Sequence, residues 1–86
     1  MFFVYVLYSI KFDRTYTGMT TEVERRIKEH NNKQNRSTKA YTPWILIHKE
    51  GFISRVEARK REKYLKSGNG REYLKLVISK KAPWRN

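Results

Sequence analysis

The alternation of apolar and polar positions begins with Phe2–Tyr8 (FFVYVLY), a run of β-branched and aromatic residues that is apolar on both faces. Such a run predicts a central strand, since only a strand covered by two layers has no face to give to water. Ser9–Arg14 turns the chain, and Thr15–Gly18 (TYTG) predicts a short second strand that pairs with the first as an antiparallel hairpin. With the loop at residues 10–11 or 10–13, paired residues sum to an odd number, which puts Tyr5 and Tyr16 on one sheet face. A slip of one residue would part them.

Thr21 and Glu24 form a capping box that predicts a helix to about Asn31, with Val23 and Ile27 as its apolar stripe. Arg26 and His30, four positions apart, lie roughly 40° from each other around that helix and project from one face. The segment 31–43 is polar, basic and aperiodic, a surface loop. Trp44–His48 (WILIH) predicts a third strand that can continue to Phe52, with Trp44 itself in the core. A second capping box, Ser54 to Glu57, opens a helix to about Lys66, with Gly68 as its C-terminal cap. Tyr73, Leu74, Val77 and Ile78 then space a last helix over Arg71–Ser79. The order is ββαβαα: an α+β fold, one domain over residues 1–79. A loose basic tail follows at 80–86, held only by what Trp84 can dock against.

Charge narrows the partners. Lys and Arg number 20 against 8 acids, a net +12, and such a surplus on a compact domain favours a phosphate polymer first and an anionic membrane second. Neither capped helix has the broad apolar face that a membrane-surface protein needs, so no membrane partner is expected. With no Cys, disulfides, thiolate metal sites and cysteine nucleophiles are excluded. Two distant imidazoles, His30 and His48, and a single Asp, Asp13, make a zinc cage or a two-metal cluster a poor expectation; a metal would rest on one Glu. The apolar start, Met1–Ser9, is too short to span a bilayer and lacks a basic leader, so a cytoplasmic protein is expected.

Each candidate residue has a bland reading. Hairpin tyrosines are usually packing, and Arg26 and His30 share their helix with Arg25, Lys28 and Glu29, as a solvated face would. Glu62 precedes Lys66 by four residues, an ion pair worth about 0.2–0.5 kcal/mol. Their joint occurrence, in a fixed order on a strongly basic small domain, points elsewhere.

Phe3-Val4-Tyr5, Tyr16-Thr17-Gly18, Arg26 ten residues after Tyr16, His30, and Glu57-Ala58-Arg59-Lys60-Arg61-Glu62 together resemble the GIY-YIG nuclease superfamily, specifically its stand-alone single-domain members. The likeness spans Phe2 to about Lys66, and the family fold, a three-stranded antiparallel sheet with helices around it, agrees with the element order. Three positions depart from the family pattern. Phe3 replaces the first-motif glycine, Met19 stands where some members have a lysine, and Leu74 falls where an asparagine is common. Asn69, in Gly68-Asn69-Gly70, is read as a left-handed turn residue.

The resemblance implies a Mg²⁺- or Mn²⁺-dependent endonuclease that hydrolyses DNA phosphodiester bonds. On that footing Glu62 is the metal ligand, Arg26 holds the scissile phosphate, and Tyr5, Tyr16 or His30 takes the proton of the attacking water. The choice among these three is open; a phenol base would need nearby cations to lower a pKa of about 10. Charge alone assigns substrate grip to Lys33, Arg36 and Lys39 in the loop and to Arg55, Arg59, Lys60, Arg61 and Lys63 on the second helix. Tyr41 and Trp44 are available to stack on an unpaired base, with the core the preferred place for Trp44. No recognition helix or zinc module is read, so branched or flapped DNA, or a partner-directed role, is expected in place of sequence-specific cutting. RNA stays open as a substrate, and a non-catalytic nucleic-acid-binding module on the same fold is the rival reading.

Overall fold

A computed structural model describes residues 1–81. Trp84 and its expected docking lie outside the described residues. The chain forms strands β1 (Phe2–Ser9) and β2 (Arg14–Thr20), helix α1 (Val23–Asn31), a 3₁₀ turn (Lys39–Tyr41), strand β3 (Ile45–Phe52), and helices α2 (Arg55–Lys66) and α3 (Gly68–Lys81). The sheet is antiparallel in the order β2-β1-β3, so β1 is central, as its two-sided apolar run requires.

Two cores flank this strand. Val4, Val6 and Tyr8 pack with Ile47, Ala58, Leu65, Leu74 and Ile78 beneath α2 and α3, while Tyr5 and Leu7 pack with Val23 and Trp44 beneath α1 and the long loop. Alternation along one strand thus feeds two layers. Register runs from Ser9 opposite Arg14 to Phe3 opposite Thr20, leaving residues 10–13 as the loop. Tyr5 lies opposite Gly18, which puts Tyr16, two residues away, on the same face. Pairing of β1 with β3 shifts between Val6 and Leu7, where Ile47 is the extra residue, and its carbonyl accepts a 2.8 Å bond from Lys81 Nζ.

Three local expectations are corrected. Thr21 does not cap α1: the residue flanking the helix is Glu22, with no side-chain cap, and its N–H goes to Thr20 Oγ1 at 3.0 Å. The cause is β2, which runs on to Thr20 and leaves Thr21 inside the turn. Gly68 does not close α2, since no glycine among the described residues has positive φ. Ser67 breaks the helices instead, its hydroxyl donating to the Tyr64 carbonyl (2.5 Å) and accepting from Gly70 N–H (3.3 Å), so α3 starts three residues before Arg71. Asn69 therefore sits in a first helical turn, not in a left-handed one. Gly70 has a packing reason, because a Cβ there would overlap the backbone of Tyr64 and Leu65, where α3 crosses the end of α2. The second capping box is half realised as Ser54 accepting from Val56 N (3.2 Å) and Glu57 N (3.4 Å). Leu74, at the family's asparagine position, is 2% exposed and belongs to the core.

The 31–43 loop is polar and mostly exposed, yet it is pinned. Asn31 exchanges two hydrogen bonds with the Trp44 backbone (3.0 and 2.6 Å), and Trp44 Nε1 donates to the Thr38 carbonyl at 3.0 Å.

Candidate active site

Tyr5 leaves the middle of β1 with its ring against Gly18 of β2. A Cβ on Gly18 would lie 2.7 Å from the Tyr5 hydroxyl oxygen and 2.8 Å from Cζ, so the ring occupies the space a side chain would need. That close approach brings the phenol to 3.1 Å from His30 Nε2 and within hydrogen-bonding reach of Arg26. Tyr16 completes the group, its ring centroid 4.7 Å from that of His30 and 6.3 Å from that of Tyr5. Four of the five residues expected from the sequence, Tyr5, Tyr16, Arg26 and His30, therefore meet on the α1 side of the sheet.

His30 is fully buried, and its other nitrogen, Nδ1, is 2.8 Å from Thr38 Oγ1. Two tautomers satisfy these contacts: with the hydrogen on Nδ1, His30 donates to Thr38 Oγ1 and Nε2 accepts from Tyr5, and with the hydrogen on Nε2 both bonds reverse. In the first of these Nε2 carries the lone pair that accepts the Tyr5 hydrogen, and the Arg26 guanidinium bears on the same phenol oxygen.

Electrostatics fits a neutral pair. Burial pushes the Tyr5 phenol above its ordinary value, with the Arg26 hydrogen bond pulling the other way without prevailing. Burial, reinforced by the Arg26 charge and opposed by Glu29, holds His30 below 6.5. Tyr5 is thus a phenol and His30 a neutral imidazole at neutral pH. Arg26 is held in place by an ion pair to Glu29.

Glu62 comes from the other layer, on α2 over β1 and β2, and is 6% exposed. Its charge is felt at Tyr5. Both carboxylate oxygens are engaged, Oε1 by Arg59 at 2.8 Å and Oε2 by Lys66 at 3.1 Å. Among the described residues there is no group of three or more His, Asp or Glu able to cage a metal. A single carboxylate suits Mg²⁺, which keeps most of its waters, so a donor of this kind fits that cation once Arg59 and Lys66 give way.

The expected phosphate contacts divide into separate places. Lys33, Arg36 and Lys39 are exposed along the loop, and Arg55, Arg59, Lys60 and Lys63 line a shallow groove on α2 with Val56. Arg61 is committed elsewhere, its Nε bonded to both Glu50 oxygens (3.0 and 3.1 Å) and its guanidinium set against Tyr64 and Tyr73. Sequence reasoning missed Thr38, which sits in an aperiodic loop with no pattern to mark it. It read Glu62–Lys66 as a helical pair but not the Arg59 contact, although Arg59 stands at the i−3 position.

Comparison with known proteins agrees with this geometry. A family model described as the GIY-YIG catalytic domain matches residues 1–76. A UPF0213 protein of Staphylococcus haemolyticus is 38% identical over 76 residues, covering 87% of this chain and 92% of the relative. One of Natronomonas pharaonis is 44% identical over 76 residues, 87% and 88% of the two chains. The solution NMR structure of a UPF0213 protein from Bacillus halodurans superposes with a TM-score of 0.55 at 36% identity, covering 98% of this chain and 90% of that one.

Proposed function

Because the chain belongs to the GIY-YIG nuclease family, we propose that it is a divalent-metal-dependent endonuclease acting on DNA, with Tyr5, Tyr16, Arg26, His30 and Glu62 as its machinery. The observation that carries this reading is the buried Tyr5 phenol, 3.1 Å from His30 Nε2 and under the influence of Arg26, which with the hydrogen of His30 on Nδ1 is placed to pass its proton to the imidazole. As water attacks phosphorus, its proton passes to the Tyr5 oxygen while the Tyr5 proton moves to His30 Nε2, and the opposite P–O bond breaks to release a sugar oxygen that takes a proton from solvent. The imidazolium so formed stays hydrogen-bonded through Nδ1–H to Thr38. Arg26 directs its planar donors at the phosphate oxygens as negative charge accumulates. Tyr16 orients the water from the second side. A divalent cation held by Glu62 would lower the pKa of the water and offset phosphate charge. Arg59 and Lys66, displaced from the carboxylate, would then be free to face the substrate.

The rival, a binding module without turnover, has one observation in its favour: both Glu62 oxygens are already taken by cations. The discriminating experiment incubates the protein with labelled single-stranded, duplex, flap and four-way-junction DNA, with Mg²⁺, Mn²⁺ or chelator, beside Glu62→Gln. The expected outcome is chelator-sensitive cutting that the variant loses by about 100-fold or more with its fold intact. Tight binding without cutting of any substrate would favour the rival.

A further inference from the structure

The tip of the β1–β2 hairpin carries an aromatic and cationic cluster that the cleavage machinery does not use. Phe12 is 42% exposed and meets Tyr41 edge-on, ring centroids 5.4 Å apart. Arg14 lies over the other ring, its guanidinium carbon 4.4 Å from the Tyr41 centroid, and Lys11 Nζ is 5.6 Å from that of Phe12. Tyr41 rests on buried Trp44, which in turn contacts Tyr16, so the cluster is joined to the active site through packed rings.

Register sets the spacing. Arg14 and Tyr16 are two residues apart on one face of β2, about 6.8 Å along the strand. The one acid of the loop, Asp13, is turned to the opposite face, where its carboxylate accepts from Tyr8 at 2.6 Å. The bland reading is that Phe12 and Tyr41 only fasten the long loop to the hairpin. Fastening alone leaves unexplained a Phe ring exposed to water with cations beside both rings.

We propose that Phe12, Arg14 and Tyr41 form a stacking subsite for an unpaired nucleotide next to the scissile phosphate. Its place beside the scissile phosphate rests on the nuclease function proposed above, whereas its capacity to bind a base does not. The exposed Phe12 ring would stack on a base from the side not covered by Lys11, and Arg14, over the Tyr41 ring, would meet the flanking phosphate. A base inside a duplex presents no free face, so the subsite selects strands with unpaired nucleotides without reading their sequence.

The test measures fluorescence anisotropy in chelator, where no cutting occurs, with a labelled single strand, a flap duplex and a blunt duplex of equal length. Phe12→Ala should weaken single-strand and flap binding about five- to tenfold and leave the blunt duplex within about twofold. Phe12→Leu, which keeps apolar bulk without a π-face, should show the same loss, and Phe12→Trp should bind as the parent does. Equal weakening on all three probes, no weakening on any, or parental binding by Phe12→Leu would overturn the proposal. A parent protein that cuts nothing yet shows the expected binding pattern would remove the nuclease reading and keep this one.

Discussion

Replacing Gly18 with Ala tests the geometry on which the site depends. Gly18 has negative φ, so Ala costs no backbone strain, and the whole effect must come from the added methyl. That methyl would stand 2.7 Å from the Tyr5 oxygen, 2.8 Å from Cζ and 3.1 Å from Tyr16 Cε2, where ordinary contact begins at 3.4 Å. Tyr5, 1% exposed in a close-packed core, has no void to enter, so it must move by about 0.7 Å or force β2 away. A displacement of that size disturbs the 3.1 Å contact with His30, whose range as a hydrogen bond is only a few tenths of an ångström. Overpacking of this kind costs about 1–3 kcal/mol, and each kcal/mol lowers Tm by about 4–8 °C in a domain this small. Tyr5→Phe removes the nearest clashing atom but leaves His30 Nε2 without its partner, a loss of about 1–3 kcal/mol alone. In Gly18→Ala/Tyr5→Phe the two penalties overlap, so the double variant should be at least about 0.5 kcal/mol more stable than additivity requires. Urea unfolding followed by far-UV circular dichroism measures the three variants, and DNA cutting should fall in all of them. Strict additivity, or a Gly18→Ala protein with parental Tm and activity, would refute the reasoning.

Two further outcomes follow from the same structure. Nε2 of His30 must be unprotonated to take the relayed proton, and burial holds its pKa below 6.5; the pH–rate profile should therefore be flat near neutrality and fall on an acid limb centred below 6.5. The unfolded chain binds that proton more readily, so this part of the stability is complete above 6.5 and lost as pH falls towards the folded pKa; a limb centred above 6.5, or a rate climbing towards pH 10, would assign the proton transfer to another group. Ser54→Ala should cost about 1 kcal/mol in chemical denaturation while Thr21→Ala costs only a few tenths, because only Ser54 bonds to helix N–H groups; equal costs would show that the caps are misassigned.

How much of this was legible in the sequence depends on the range of the interaction involved. The central place of β1 follows from FFVYVLY having no polar face, and the shared face of Tyr5 and Tyr16 follows from loop arithmetic, because strand periodicity is strict. Ser54 was legible as a cap and Thr21 was not, although both head the same kind of tetrad; what separates them is whether the preceding strand ends early enough. Gly68 failed for a related reason, since Ser67 could serve both helices and Gly70, not Gly68, was needed for close approach. Thr38 and the Phe12–Tyr41 contact depend on where a long aperiodic loop settles, and no local pattern encodes that, whereas Arg59 on Glu62 is an i,i+3 pair within one helix and was open to local reading. Arg61 reads as a phosphate contact because its charge is visible in sequence, whereas its tie to Glu50, eleven residues away, is not.

The strand that carries Tyr5 also supplies apolar side chains to both cores and pairs with a neighbour along each edge. Tyr5 therefore sits in the part of the molecule that opens last, and its amide can exchange with solvent only when the domain unfolds as a whole. Catalytic competence and the folded state then share one equilibrium. Displacing Tyr5 requires the sheet itself to open, so no cutting should survive above the temperature at which the sheet melts.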